Sequence, residues 1–237
     1  MQLAIETSSL VSSVALLHGD TLRAELTIQA RLTHSEQLMP HIADMLTKAS
    51  VKKSQIDGVA VSIGPGSFTG LRIGLASAKA LAFGWDVPLV GVETPTSLAW
   101  NCVGARDRIC VLIDAQKKNV YASLYEWQGM ELKTLKDIQI RPLSDVLEDL
   151  SQDMKTTRFF GDGALLAKQA ITSYSPLFHM APPTMVIPRA GSLALAAKPR
   201  FDAGETDDPM TLTPAYKRRS EAEVLWEKRH GGDSPCR

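Results

Sequence analysis

Two carboxylates stand at matching places in this chain. Glu6 closes the apolar run Leu3-Ala4-Ile5, Asp114 closes the run 109–113, and each is followed by a polar turn and then by another strand-like run. Acids at equivalent positions of a repeated unit could hold a magnesium-bound nucleotide in a cleft between the repeats, with Thr7 and Ser8 adding hydroxyls. Against this, neither turn contains a glycine, so neither offers a tight phosphate cradle. A second candidate is the stretch Gly64-Pro65-Gly66-Ser67-Phe68-Thr69-Gly70-Leu71-Arg72-Ile73-Gly74, whose four glycines imply close approach of backbone to something else. A Walker loop is excluded, because three residues rather than four separate Gly66 from Gly70 and Leu71-Arg72 follows in place of Lys-Ser or Lys-Thr. A dinucleotide fingerprint fits loosely, with Glu93 at the end of the next strand as a ribose acid, but its spacing is one residue long and Pro65 removes an amide. The third reading is packing: Gly70, Gly74 and Ser77 form one helical stripe, Ala76 and Ala80 lie near another, and Arg72 with Lys79 makes a more polar one. Such a helix can press against a sheet, a neighbouring helix or a partner protein.

Metal and nucleophile chemistry finds little support. His34 and His41 lie seven residues apart, about 10 Å along a helix, whereas a zincin-type pair lies four apart. Cys102, Cys110 and Cys236 show no CxxC spacing. With 26 basic and 26 acidic residues among 237, no overall field favours nucleic acid or an anionic membrane. The local basic groups Lys217-Arg218-Arg219 and Lys228-Arg229-His230 read as a solvated face. No run approaches the roughly 20 apolar residues of a membrane span, and Met1-Gln2-Leu3 enters a strand without a basic leader, so a cytoplasmic protein with no membrane contact is expected.

The elements that must carry these residues repeat. Strands are expected at 3–5, 13–17 and 22–28, then a helix at 33–49 opened by a Thr33/Glu36 capping box and kinked or loosened at Pro40. Strand 57–63, helix 67–83, strand 88–92 and a short helix follow, the last with Thr94 as cap and Pro95 at its first position. Strands 109–113, 120–125 and 131–140, helix 142–150, strand 157–160 and helix 164–173 restart the pattern. The proline-rich 176–188, helix 189–198 and segment 199–214 read as periphery of this second half, and 231–235 as a disordered tail. The fold class is α/β, in two related mixed-sheet halves.

Ala4-Ile5-Glu6-Thr7-Ser8, His34-Ser35-Glu36 with Leu38 and Pro40, the run at 64–82, Asp114-Ala115 before Val120-Tyr121, Gly161-Asp162-Gly163-Ala164, and Pro214 with Tyr216 closely resemble the bacterial tRNA threonylcarbamoyladenosine biosynthesis family TsaB, also called YeaZ. The resemblance implies an actin/Hsp70-like (ASKHA, ribonuclease H-like) pair of domains, at 1–104 and 105–212, with 213–237 packing back on the core before a disordered tail. It implies a non-catalytic paralogue of the transferase TsaD that scaffolds and activates it, meets TsaE through the complex, self-associates when alone and touches tRNA only indirectly. It implies no metal and no cofactor, apart from a nucleotide at the partner interface. Where TsaD carries a metal-binding histidine pair, this chain reads Glu93-Thr94-Pro95-Thr96-Ser97-Leu98-Ala99-Trp100, and it has Glu6 and Gln116 where many TsaB proteins have Asp and Arg. The expected docking face consists of Leu38, Ile42 and Met45 on the first helix and Gly70, Arg72, Gly74 and Ser77 on the second, so that Gly74→Leu weakens the contact while sparing the fold. The alternative is a nucleotide-binding ATPase or phosphotransferase using Glu6, Thr7, Ser8 and Asp114.

Overall fold

The computed structural model describes residues 1–29 and 34–215. Strands β1 (Gln2–Glu6), β2 (Val11–His18) and β3 (Thr21–Gln29) form an antiparallel meander, and β4 (Gly58–Gly64) and β5 (Leu89–Glu93) add in parallel beside β1. The resulting order is β3-β2-β1-β4-β5. β6 (Arg108–Asp114), β7 (Asn119–Gln128), β8 (Glu131–Pro142), β9 (Thr157–Phe160) and β10 (Phe178–Met180) repeat it, as β8-β7-β6-β9-β10. β6 therefore occupies the place of β1. Two mixed sheets of one topology make this an actin/Hsp70-like α/β fold. Of these strands only β10 escapes the sequence, because three residues inside a proline-rich stretch are too short to show a period.

Both faces of the first sheet are covered, and alternation along each strand says by what. Leu3, Ile5, Val14, Leu16, Val59 and Val61 face helices α1 (His34–Lys48) and α2 (Phe68–Trp85), whereas Ala4, Ala15, Leu17, Ala60, Val90 and Val92 face α7 (Ala190–Asp202). This corrects the expectation for helix 189–198, which belongs to the first sheet rather than to the edge of the second half. Its Ala190, Ala194 and Ala197 are fully buried, small enough to let helix and sheet backbones approach. Hydrophobic content alone could not say which sheet would take it.

In exchange, α3 (Thr94–Ala99), the last helix of the first half, packs Leu98 and Ala99 on Ile109, Val111 and Phe160 of the second sheet. Its cap differs from expectation. Glu93 holds the cap position, and the Thr94 hydroxyl bonds Ser62 Oγ at 2.8 Å instead of a helix amide. The other face of the second sheet takes α4 (Leu143–Gln152), α5 (Asp162–Leu166) and α6 (Lys168–Tyr174). The single helix expected at 164–173 is thus two, separated at Ala167, where no glycine or proline marks the break. α1 runs unbroken through Pro40, which lies on its exposed side, and the Thr33 cap lies outside the described residues.

After α7 the chain returns along the edge strand of the first sheet. Asp207 donates its amide to Leu89 O at 2.8 Å and accepts from Gly91 N at 2.7 Å, and Ala215 N reaches Ile63 O at 2.7 Å. The segment that begins at 213 therefore starts against the core, while the expected tail falls outside the described residues.

Candidate functional site: the Glu6 turn and the outer face of helix α2

The turn after β1 is sealed inside the molecule. Glu6 and Thr7 are 0% exposed and Ser8 is 2% exposed. What covers them is the glycine-rich segment. Ser67 N donates to Ser8 O at 2.6 Å, and the Thr7 hydroxyl donates to Gly70 O at 2.8 Å. A β-carbon at Gly66 would lie 2.1 Å from Ser8 O, one at Gly70 would lie 2.0 Å from Thr7 O, and one at Gly74 would lie 2.1 Å from Thr7 Oγ1. The glycines are needed because the turn sits directly on them. This is the packing reading of the sequence, with the protein's own first turn as the thing approached.

Glu6 is a buried carboxyl whose environment favours the protonated form. Burial raises its pKa, and the Ser8 amide on Oε1 at 2.7 Å, with the Ser8 and Ser62 side chains, offsets only part of the rise. Asp114, its counterpart by topology, is exposed: it accepts the Gln116 amide at 2.8 Å, and its own amide donates to Asp162 Oδ1 at 3.1 Å. The two acids therefore differ in exposure and in partners. Among the described residues, no group of three or more His, Cys, Asp and Glu side chains is placed to hold a metal ion. Nor is any described helix long and apolar enough to cross a membrane.

The residues expected to form the docking face mostly point inward. Leu38, Ile42 and Met45 are at most 4% exposed and belong to the first core, and Gly70 and Gly74 lie beneath Thr7. Ser77 is half-buried. The apolar stripe of α1 and the glycine stripe of α2 were legible, but each proves to be the side that packs on its own chain. Of the expected set only Arg72 is exposed, with its guanidinium 3.9 Å from the centre of the Phe68 ring. Opposite the glycines, α2 turns outward Arg72, Ala76, Ala80 and Phe83, and Phe83 is 79% exposed. Spacings of four, four and three place these on one stripe. The pairing of Ala76 with Ala80 signalled it in the sequence. Phe83 went unremarked because it ends the apolar run.

The model of the family TsaD, tRNA N6-adenosine threonylcarbamoyltransferase, matches residues 28–226. The tRNA threonylcarbamoyladenosine biosynthesis protein TsaB of Bacillus subtilis is 32% identical over 225 residues, which is 94% of this chain and 96% of that protein. The TsaB protein of Escherichia coli is 30% identical over 97% of this chain and 98% of its own length. The chain belongs to the TsaB (YeaZ) family. A solved structure of YeaZ from Pseudomonas aeruginosa agrees, with a TM-score of 0.73 at 25% identity over 91% of this chain and 98% of that one. In this member of the TsaB family the glycine-rich helix lies on Thr7 and Ser8, in a turn where Glu6 is also buried.

Proposed function

We propose that this chain is a non-catalytic subunit that supports threonylcarbamoyl modification of the tRNA adenosine 3′ of the anticodon by docking on the transferase TsaD and activating it. The observation that carries the reading is the closed turn: Glu6 is wholly buried with its pKa raised, so the acid best placed by sequence to carry a metal-bound nucleotide is shut away from solvent at the root of a turn that helix α2 covers. The same helix presents Ala76, Ala80 and Phe83 outward, a small-residue surface edged by an aromatic side chain, which suits a closely approaching helix of another protein. Met39, 45% exposed on α1, enlarges the apolar surface of this half. Self-association through that face competes with TsaD, TsaE joins through the complex, and tRNA is met indirectly, in the cytoplasm. Any nucleotide would sit at the partner interface rather than in the Glu6 turn.

The test combines co-purification with TsaD and a modification assay from which each component is omitted in turn. Modification should require this chain, while the chain alone modifies nothing. Phe83→Asp should weaken TsaD binding by about 10- to 100-fold, with unchanged melting, because a charge then replaces an exposed aromatic anchor. Wild-type affinity in that variant, or modification by the isolated chain, sinks the reading. Metal-dependent ATP turnover lost in Glu6→Gln would favour the phosphotransferase alternative.

A further inference from the structure

Within the described residues the polypeptide passes between the two halves twice, and one side chain bridges both crossings. The forward passage leaves α3 and runs through Trp100, Asn101 and Cys102 toward β6; the return leaves β10 and runs through Met185 to Arg189 into α7. Asn101 Nδ2 donates to Met185 O at 2.5 Å and to Ile187 O at 2.8 Å, so both amide hydrogens of the forward passage are spent on the return. The opposite orientation would set Oδ1 against two carbonyl oxygens, so the carboxamide is fixed by its partners.

The neighbouring positions of the return are anchored as well. Val186 O, between the two carbonyls that Asn101 takes, accepts Gly161 N of the second half at 2.9 Å. Arg189 pairs with Glu25 of β3, while Ala190 N donates to Ser13 Oγ at 3.0 Å and Gly191 N to Glu25 Oε1 at 3.0 Å. On the forward side, Trp127 Nε1 donates to Ala99 O at 3.3 Å, and the Trp100 ring meets Trp127 edge-on at a centroid distance of 5.0 Å. From 185 to 191 the return is thus tied in turn to the second half, to the forward passage and to the first half.

We propose that Asn101 is a positioning residue that latches the inter-half hinge, so that the arrangement of the two sheets is set by the chain itself and not by a ligand closing the cleft between them. This goes beyond the docking reading and stands whichever partner the chain meets. A hinge that works needs a few residues able to change their backbone angles freely. Here the candidate residues are held by each other.

Hydrogen–deuterium exchange of the full chain tests the latch. In wild type, the Ala190 and Gly191 amides should exchange as slowly as those of β1 and β6, and adding magnesium ATP should not alter the pattern. Asn101→Ala should speed exchange at Val186, Ile187, Arg189, Ala190 and Gly191 on the order of tenfold, with β1 and β6 unchanged, since two hydrogen bonds are lost at the crossing alone. Asn101→Asp, which keeps the size and sets a carboxylate against two carbonyls, should do the same if the alanine variant folds poorly. Fast exchange at Ala190 and Gly191 in wild type, new protection with ATP, or variants whose exchange is unchanged or rises equally everywhere overturns the proposal.

Discussion

Glu6 accepts the Ser8 amide through one oxygen and is closed off from solvent, so it keeps its proton above the 4.5 typical of an exposed glutamate. A raised pKa in the folded state has a definite sign in stability. Below the unfolded value both states hold the proton and the contribution is fully present; as pH rises toward the folded value, only the unfolded chain releases it, and stability is lost. Glu6→Gln cannot ionise and should be free of this loss. Urea unfolding of both proteins from about pH 4.5 upward should show the variant gaining on wild type by at most about 1.4 kcal/mol per pH unit, then levelling. A difference that does not change with pH would mean that Glu6 ionises in the folded chain. The residue was legible as a strand-end acid. Its burial was not, because Ser62 beside it and the glycines that close over its turn lie far along the chain.

Helix α2 has two faces with opposite tasks. Its glycines admit the Glu6 turn, and its alanines and Phe83 face outward. The expectation that Gly74→Leu would spare the fold fails for this reason, since even a methyl group at Gly74 meets Thr7 Oγ1. Gly74→Ala should cost about 1–3 kcal/mol in denaturant unfolding, the range for overpacking a filled site. Removing the obstacle should remove most of the cost: in a Thr7→Ala background the same change should be near neutral, helped by alanine's better helix propensity. A double-mutant cycle would then give a coupling of about 1 kcal/mol or more. Strictly additive effects would show that the glycine face tolerates side chains. In sequence, a stripe of small residues announces close approach without naming what approaches.

The halves are interleaved at the scale of the molecule. α7, from the end of the described chain, covers the first sheet, and α3, from the end of the first half, covers the second. A fragment of residues 1–104 therefore lacks the helix that buries Ala4, Ala15, Leu17, Ala60, Val90 and Val92. It should be produced without a cooperative melt and should bind a hydrophobic dye, whereas the full chain melts cooperatively. Cooperative unfolding of the fragment would show that residues 1–104 form an autonomous domain. Asn101 lies where this interleaving crosses itself, and it carried no sequence signal, being a lone asparagine whose partners lie more than eighty residues away.

Alternation, turn residues and the repeated strand order are local properties, and the sequence alone determined from them two related α/β halves, the strands except β10, and helices at the positions of α1, α2, α3, α4 and α7. Which face of each helix meets which sheet is not local. Leu38, Ile42, Met45, Gly70 and Gly74 look the same in sequence whether they pack on a partner or on their own core, because hydrophobic and steric matching is non-directional. Only the tertiary structure assigned them inward, closed the Glu6 turn beneath α2, placed α7 on the first sheet and left Ala76, Ala80 and Phe83 facing out.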